Sequence, residues 1–174
     1  MGMTVAARRR LLLEIARRRA QPGTGSARVF LEERTAMTHW PDLTPPLTGI
    51  PWAVVGAVAT RAYMPERTTQ DLDILVNSSD QEAVRVRLRS AGFCPVQALA
   101  IGGMTWRSPE GALVDVIESR AAWVLEALQL LRQDRQGLPV LDLPYLVLMK
   151  VEAGRAQDLA DAARMLGSAS EACC

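Results

Sequence analysis

The stretch Gly56-Ala-Val-Ala-Thr-Arg-Ala-Tyr-Met-Pro-Glu-Arg-Thr-Thr-Gln-Asp71-Leu-Asp73-Ile-Leu-Val76 decides the fold. Its last six residues, 71–76, are apolar except for the two aspartates Asp71 and Asp73. Residues two apart on a strand point to the same side, so Asp71 and Asp73 share one face of a predicted strand. Neighbouring carboxylates repel each other and are costly to desolvate. A divalent cation relieves that conflict, and Mg²⁺ prefers carboxylate oxygens, completing its shell with waters and substrate phosphates.

The residues before this pair are suited to an anion. Gly56 makes a turn, and Arg67, Thr68 and Thr69 lie just ahead of Asp71. Arginine and hydroxyl side chains donate hydrogen bonds to phosphate oxygens. The stretch therefore predicts half of a site for a metal-bound nucleoside triphosphate.

A third acid, Asp115, lies in the middle of the apolar run 113–117. A buried aspartate on a central strand needs a compensating cation. If its strand pairs beside the strand of Asp71, three carboxylates converge and can hold two divalent ions about 3.5–4 Å apart. In the alternative, Asp115 lies at a sheet edge and pairs with Arg107 or Arg120. Spacing alone does not separate these interpretations.

Lys150 is the only lysine among the 20 basic residues. An arginine-rich chain that keeps one lysine indicates a need for a compact ammonium; the alternative is a lysine that extends from a helix surface. Arg155, Asp158 and Asp161 follow on one helix face. They are placed to steer Lys150 or a nucleotide, but their spacing favours a surface salt-bridge ladder that contributes little stability.

The composition suits one domain with a substantial core, or a small domain with a helical appendage. Of the 174 residues, 49% are hydrophobic and 22% charged, with a net charge of +1, and no apolar run reaches the length of a membrane span. Residues 1–28 carry seven arginines against Glu14. This basic segment indicates either contact with RNA phosphates or an acidic partner, or simply a solvated helix end.

Several other chemistries are excluded by residue counts. The only histidine, His39, lies in a proline-rich segment, which argues against a catalytic triad or a histidine-based metal site. Lys150 follows Met149, so no P-loop is present. Cys94, Cys173 and Cys174 are too few and too irregular for a disulfide framework, and they indicate a reducing, cytoplasmic setting.

Periodicity and turn residues predict alternating elements along the chain. Strands are predicted at residues 52–55, 71–76, 93–99, 104–108, 112–117 and 140–141. Helices are predicted at residues 4–20, 27–38, 58–63, 79–91, 118–131, 146–152 and 156–166. A proline-rich linker is predicted at residues 39–51, Asp142 is expected to cap a helix, and Gly154 is expected to interrupt the last helical region.

These motifs together resemble the DNA polymerase β-like nucleotidyltransferase superfamily, and within it the AbiEii-type, toxin-like bacterial enzymes. The resemblance covers residues 50–167. The first motif is similar at Gly56, Ala59, Arg67, Thr69, Asp71 and Asp73. The second is a Val-Asp-Val strand at Asp115. The third is similar at Met149, Lys150, Ala153, Arg155, Asp158, Leu159 and Asp161.

The resemblance implies an α/β (α+β) fold with a small mixed sheet at residues 50–167. Outside it, the sequence predicts a basic helical extension at 1–45 and a disordered tail at 168–174. It implies that Asp71, Asp73 and Asp115 bind Mg²⁺ and are catalytic. It implies that Gly56, Ala57, Arg67, Thr69 and Lys150 bind the phosphates of an NTP. The implied acceptor is a hydroxyl on RNA, a tRNA end, a protein or a small molecule, and an antitoxin protein is an implied partner.

Two residues depart from the family pattern. Ala57 stands where the family has Gly or Ser, and Met64 replaces a common Gly. Loss of a serine hydroxyl or of glycine flexibility weakens the expected grip on the triphosphate. A non-catalytic nucleotide- or partner-binding relative is therefore an alternative. An antibiotic-modifying enzyme is a further alternative, although no acidic segment for a cationic drug is evident.

Overall fold

The computed structural model describes residues 40–61, 63, 69, 71–134 and 137–171, with side chains to residue 167. The two predicted N-terminal helices lie outside these residues, as do His39, Met64, Arg67 and Thr68. From Trp40 onward the described residues belong to one compact unit.

A seven-stranded mixed sheet forms the centre of this unit, which confirms the expected mixed sheet and adds a strand at Leu131–Gln133 to the six predicted. Its order is β3-β4-β5-β2-β1-β7-β6. The β1–β7 and β2–β5 pairs are parallel and the other pairs are antiparallel. The strands are β1 (Trp52–Val54), β2 (Asp71–Asn77), β3 (Cys94–Ala98), β4 (Gly103–Arg107), β5 (Leu113–Ser119), β6 (Leu131–Gln133) and β7 (Pro139–Leu141).

Five helices accompany the sheet in the described part of the chain. They are α1 (Gly56–Thr60), α2 (Gln81–Ser90), α3 (Val124–Ala127), α4 (Leu143–Ala153) and α5 (Ala156–Glu171). Gly154 adopts a left-handed conformation with φ of 65° and ends α4, as predicted. Within the described residues, no helix combines the length and the apolar character needed to cross a membrane.

The two central strands have one apolar and one acidic face, because side chains alternate along a strand. The apolar face consists of Leu72, Ile74, Val76, Val114 and Val116, which are all buried. Their burial in the main core cluster holds β2 and β5 together over seven register pairs. The acidic face carries Asp71, Asp73 and Asp115, with Leu75 and Ile117 next to them along the strands.

The helix predicted at residues 118–131 is wrong. Strand β5 continues to Ser119, which pairs with Asn77 of β2, and only Val124–Ala127 is helical. Leu131 begins β6, which pairs with β7. The apolar spacing of this segment fits a helix, but strand pairing at both of its ends overrides that local preference.

The proline-rich segment predicted as a linker is packed into the core. Residues 44–49 form turns and no regular element, as expected. Leu43 and Leu47, however, are fully buried. This segment therefore contributes apolar side chains to the same core as the sheet.

Candidate active site

The acidic face brings together the three aspartates predicted from the sequence. In the parallel β2–β5 pair, Asp73 lies directly opposite Asp115, and Asp71 precedes Asp73 by two residues on the same face. All three line one cavity of about 600 Å³. The alternative of a sheet-edge Asp115 is not what the structure has, because β5 lies between β4 and β2.

Gly56 lies directly against the carboxylate of Asp73. The backbone N–H of Val55 donates to the carbonyl of Asp73 at 2.9 Å, which fixes the turn into α1 beside β2. Gly56 has φ of 63°, and a Cβ at this position would lie 1.9 Å from Oδ2 of Asp73. Glycine is therefore required here both for its left-handed conformation and for its lack of a side chain.

The predicted phosphate-binding residues are placed differently from one another. Gly56, Ala57 and Lys150 line the same cavity as the aspartates. Thr69 instead donates its hydroxyl to Oδ1 of Asp71 at 2.6 Å, so it restrains an acidic side chain in this structure. Arg67 lies outside the described residues.

Burial and charge repulsion act together on Asp73. Burial, and after it the nearby carboxylates of Asp71 and Asp115, raises the pKa of its carboxyl to about 7, against the opposing effect of Lys150 and Arg155. A carboxylate in this situation is stabilised by any cation that binds beside it. The acidic face is thus electrostatically strained in the absence of a bound cation.

Lys150 is held at the cavity by two buried acids of the following helix. Its Nζ lies 2.7 Å from Oδ1 of Asp158 and 3.5 Å from Oδ2 of Asp161. The side chains of these acids are only 3% and 1% exposed, and that of Lys150 is 15% exposed. The favoured interpretation of a surface salt-bridge ladder is therefore wrong, and the alternative that these acids steer Lys150 fits the contacts.

Arg155 completes this group from a more exposed position. Its Nε donates to Oδ2 of Asp158, and its own side chain is 77% exposed. Burial alone raises the pKa of Asp158, but hydrogen bonds from Arg155 and Lys150 outweigh it and leave that pKa below its usual range. Asp158 thus stays ionised as the partner of two cations.

Sequence reasoning missed the buried character of Asp158 and Asp161, and also the apolar part of the cavity wall. Leu99, Ala100 and Ile101 lie in the turn between β3 and β4 and line the same cavity as the charged groups. Ile101 is 73% exposed. A single apolar residue beside the Gly102-Gly103 pair gave no signal in the sequence, because isolated exposed hydrophobic side chains are common.

The carboxylates of Asp71, Asp73 and Asp115 are oxygen ligands that suit a divalent cation, and β2 and β5 place them on one face of the sheet. As the side chains stand, no three acidic, histidine or cysteine residues of the described part of the chain are grouped closely enough to hold an ion. One carboxylate oxygen of Asp71 already accepts a hydrogen bond from Thr69. Asp73 and Asp115 are nevertheless directly opposite each other on two paired strands, and the charges of Asp71 and Asp115 both act on Asp73.

Comparisons with known proteins are informative at the level of structure. No family model matches the sequence. No curated protein matches it either.

Several solved structures have folds similar to this chain. The crystal structure of ANT(2")-Ia in complex with adenylyl-2"-tobramycin is 13% identical, with a TM-score of 0.50, over 72% of this chain and 84% of that chain. The solution structure of the antibiotic-resistance factor ANT(2'')-Ia is 12% identical, with a TM-score of 0.51, over 72% and 80%. A putative nucleotidyltransferase from Thermotoga maritima is 13% identical, with a TM-score of 0.48, over 91% and 94%. At these identities the likeness concerns the fold alone, and the chain shares the fold of the ANT(2'')-Ia structures.

Proposed function

We propose that the protein is a Mg²⁺-dependent nucleotidyltransferase that transfers a nucleoside monophosphate from an NTP to a hydroxyl acceptor. The observation that carries this proposal is the single cavity in which Asp71, Asp73 and Asp115 meet Gly56 and Lys150. Carboxylates beside a close backbone turn and a fixed ammonium are the groups that phosphoryl and nucleotidyl transfer require. The fold shared with nucleotidyltransferases supports it.

Asp71, Asp73 and Asp115 are the residues that would hold the metal. Bound there, Mg²⁺ would neutralise charge on the triphosphate and favour attack at its α-phosphorus. The raised pKa of Asp73 supports this assignment, because the same repulsion that raises it would be relieved by a cation. On the sequence motifs, we also propose that the enzyme is of the AbiEii type.

Each remaining group has a role in the transfer. Asp115 accepts the proton of the acceptor hydroxyl, whose oxygen bonds to the α-phosphorus while the bond to the bridging oxygen breaks and pyrophosphate leaves. Lys150, fixed by Asp158 and Asp161, offsets the negative charge that develops on the phosphates. The backbone N–H groups of Gly56 and Ala57 bind the triphosphate, and the resemblance adds Arg67 and Thr69 to this role.

A second cavity favours a compact acceptor. It has a volume of about 320 Å³ and shares Ile101, Ile117, Met149 and Ala153 with the first cavity. Volumes of this size suit small molecules. Ile117 follows Asp115 by two residues on the same face of β5, so a ring placed over Ile117 brings a hydroxyl within reach of Asp115.

The chemistry of this second cavity favours an alcohol with an apolar ring and a cationic or donor group. Trp123 stacks on Tyr145 with ring centroids 5.9 Å apart and donates its indole N–H to Glu152 at 3.4 Å. Glu152 is exposed and can accept further hydrogen bonds. Single-stranded RNA instead binds grooves rich in cations. A small-molecule acceptor therefore fits the described residues better than RNA, and the structure with adenylyl-2"-tobramycin contains a small molecule that carries an adenylyl group.

RNA, a tRNA end or a protein acceptor, and regulation by an antitoxin protein, remain proposals that rest on the resemblance alone. The arginine-rich segment that motivates an RNA partner lies outside the described residues. The binding-only alternative rests on Ala57, which lines the cavity without the hydroxyl or flexibility of the family residue.

The decisive test is label transfer from each of the four α-³²P-labelled NTPs in the presence of Mg²⁺. Acceptors are tobramycin, a neutral sugar alcohol and total RNA, supplied separately. We expect labelled tobramycin, lost in Asp73→Asn and retained in Glu110→Gln, which removes an exposed acid in the turn before β5. Label on RNA alone would replace the small-molecule acceptor by an RNA acceptor. Nucleotide binding without transfer would favour the binding-only alternative. The absence of both nucleotide binding and transfer would overturn the proposal.

A further inference from the structure

Thr105 carries a buried hydroxyl that has no partner among the described residues. It lies in the middle of β4 and is only 4% exposed. Its Oγ1 makes no hydrogen bond. Buried polar groups are nearly always hydrogen-bonded, because desolvation without a partner is unfavourable. Valine has the same shape and suits a strand at least as well, so packing alone does not explain the hydroxyl.

The register of the sheet places this hydroxyl beside the acidic face. Thr105 is the direct cross-strand partner of Asp115 in the antiparallel β4–β5 pair. Directly opposed residues point to the same face with Cβ atoms about 4.5–5.5 Å apart. Asp73 lies on the other side of Asp115. Thr105, Asp115 and Asp73 therefore form one row across three neighbouring strands.

We propose that Thr105 is a positioning residue for Asp115: when Asp115 turns one carboxylate oxygen toward a divalent cation, the hydroxyl of Thr105 donates to the other oxygen. A carboxylate has two oxygens and about four acceptor sites, so both interactions are compatible. Hydrogen bonds from outside the ligand set orient metal ligands and affect metal affinity. This inference rests on the proposed metal-dependent function.

The other neighbour of Thr105 is a poorer partner. Gln97 pairs with Thr105 from β3, but all five residues of that strand are exposed, and the strand is irregular between Pro95 and Gln97. No hydrogen bond joins the two side chains. Asp115 is the partner whose charge makes a donated hydrogen bond stronger.

The test compares Thr105→Val, Thr105→Ser and Gln97→Leu in the full chain. Mn²⁺ affinity is measured by calorimetry, and the melting temperature is measured in EDTA. We expect Thr105→Val to weaken Mn²⁺ binding by about 10–100-fold. Its melting temperature in EDTA should equal or exceed that of the wild type, because an unsatisfied hydroxyl is removed. Thr105→Ser should restore affinity, and Gln97→Leu should leave it unchanged.

Kinetics give a second readout. For nucleotidyl transfer, Thr105→Val should lower kcat and leave the KM for the NTP near its original value, with recovery in Thr105→Ser. Equal Mn²⁺ affinity in the wild type and Thr105→Val would overturn the inference and leave the proposed function intact. If the wild type binds no Mn²⁺ and Asp115→Asn behaves identically, the proposed function fails and the inference fails with it.

Discussion

The two faces of β2 and β5 share the same backbone and the same register, but they differ in what their side chains contribute. On the apolar face, Ile74 and its neighbours are buried among other apolar groups and stabilise the fold. On the acidic face, Asp73 is placed among other carboxylates, and its raised pKa reports an unfavourable environment for charge. The comparison teaches that stability and the candidate chemistry are separated by alternation along one strand, so neighbouring residues should respond to mutation in opposite ways.

The largest expected effect is the loss of transfer in Asp73→Asn. The amide keeps the shape of the side chain but cannot contribute a negative charge to a metal site. We expect nucleotidyl transfer to fall by about 10³-fold or more, equivalent to at least ~4 kcal/mol of transition-state stabilisation. Steady-state label transfer measures this. Activity within tenfold of the wild type would remove Asp73 from the site.

Ile74→Ala should produce the opposite pattern, with a loss of stability. Ile74 is fully buried on the apolar face. Truncation leaves a cavity and should lower the free energy of unfolding by about 2–5 kcal/mol. Urea denaturation measures the change, and the specific activity of the folded fraction should stay near that of the wild type. A loss of activity in fully folded protein would show that the two faces are not separable.

Lys150→Met should affect both stability and activity, because Lys150 joins the cavity to two buried acids. Removing the ammonium leaves Asp158 and Asp161 with less compensation in a buried setting. We expect the free energy of unfolding to fall by about 2–4 kcal/mol and kcat to fall with it. Arg87→Met, at an exposed cation of α2, is the control. The double variant Lys150→Met with Asp158→Asn should recover part of the stability but none of the activity.

Gly56→Ala tests the contact between the turn and Asp73. The new Cβ would overlap the carboxylate of Asp73, and the alanine would also be held at an unfavourable positive φ. We expect a loss of about 1–3 kcal/mol in the free energy of unfolding. A double-mutant cycle with Asp73→Ala separates the two causes, because only the overlap is relieved when the carboxylate is absent. Additive effects in that cycle would contradict a direct contact.

The smallest expected effect is a pH-dependent gain in stability for Asp73→Asn in EDTA. The pKa of Asp73 is about 7 in the folded protein and 3.8 as its ordinary value. The folded state therefore binds this proton more tightly than the unfolded state does. The resulting contribution to folding stability is complete below pH ~4 and is lost as the pH rises through about 7. Above pH 7 the metal-free variant should be more stable than the wild type by roughly 1–3 kcal/mol. Equal pH profiles for both proteins would show that Asp73 is not strained.

The sequence was sufficient for the local parts of the site and insufficient for the contacts between them. The alternation of residues 71–76 predicts both the strand and its acidic face. The pairing of β5 with β2, which decides whether Asp115 joins the other acids, depends on tertiary structure and was left open. The helix predicted at residues 118–131 failed for the same reason, because residues at both of its ends take part in strand pairs.

Lys150 shows the same limit more clearly. Its uniqueness in the sequence indicated a specific role, but the positions of Asp158 and Asp161 suggested only an exposed ladder. Their burial arises from the packing of α5 against α4, which no spacing along one helix reveals. Residues that stabilise a functional group from a neighbouring element are therefore the least predictable part of this site.

The left-handed residue Gly154 has a consequence for the geometry of the whole cavity wall. It ends α4 only four residues after Lys150, and α5 begins two residues later. Successive residues of a helix are rotated by about 100°, so the length of this short connection sets which side of α5 faces the lysine. One residue inserted beside Gly154 would shift the rotational phase of α5 and turn both acids away, disconnecting the ammonium without changing a single side chain.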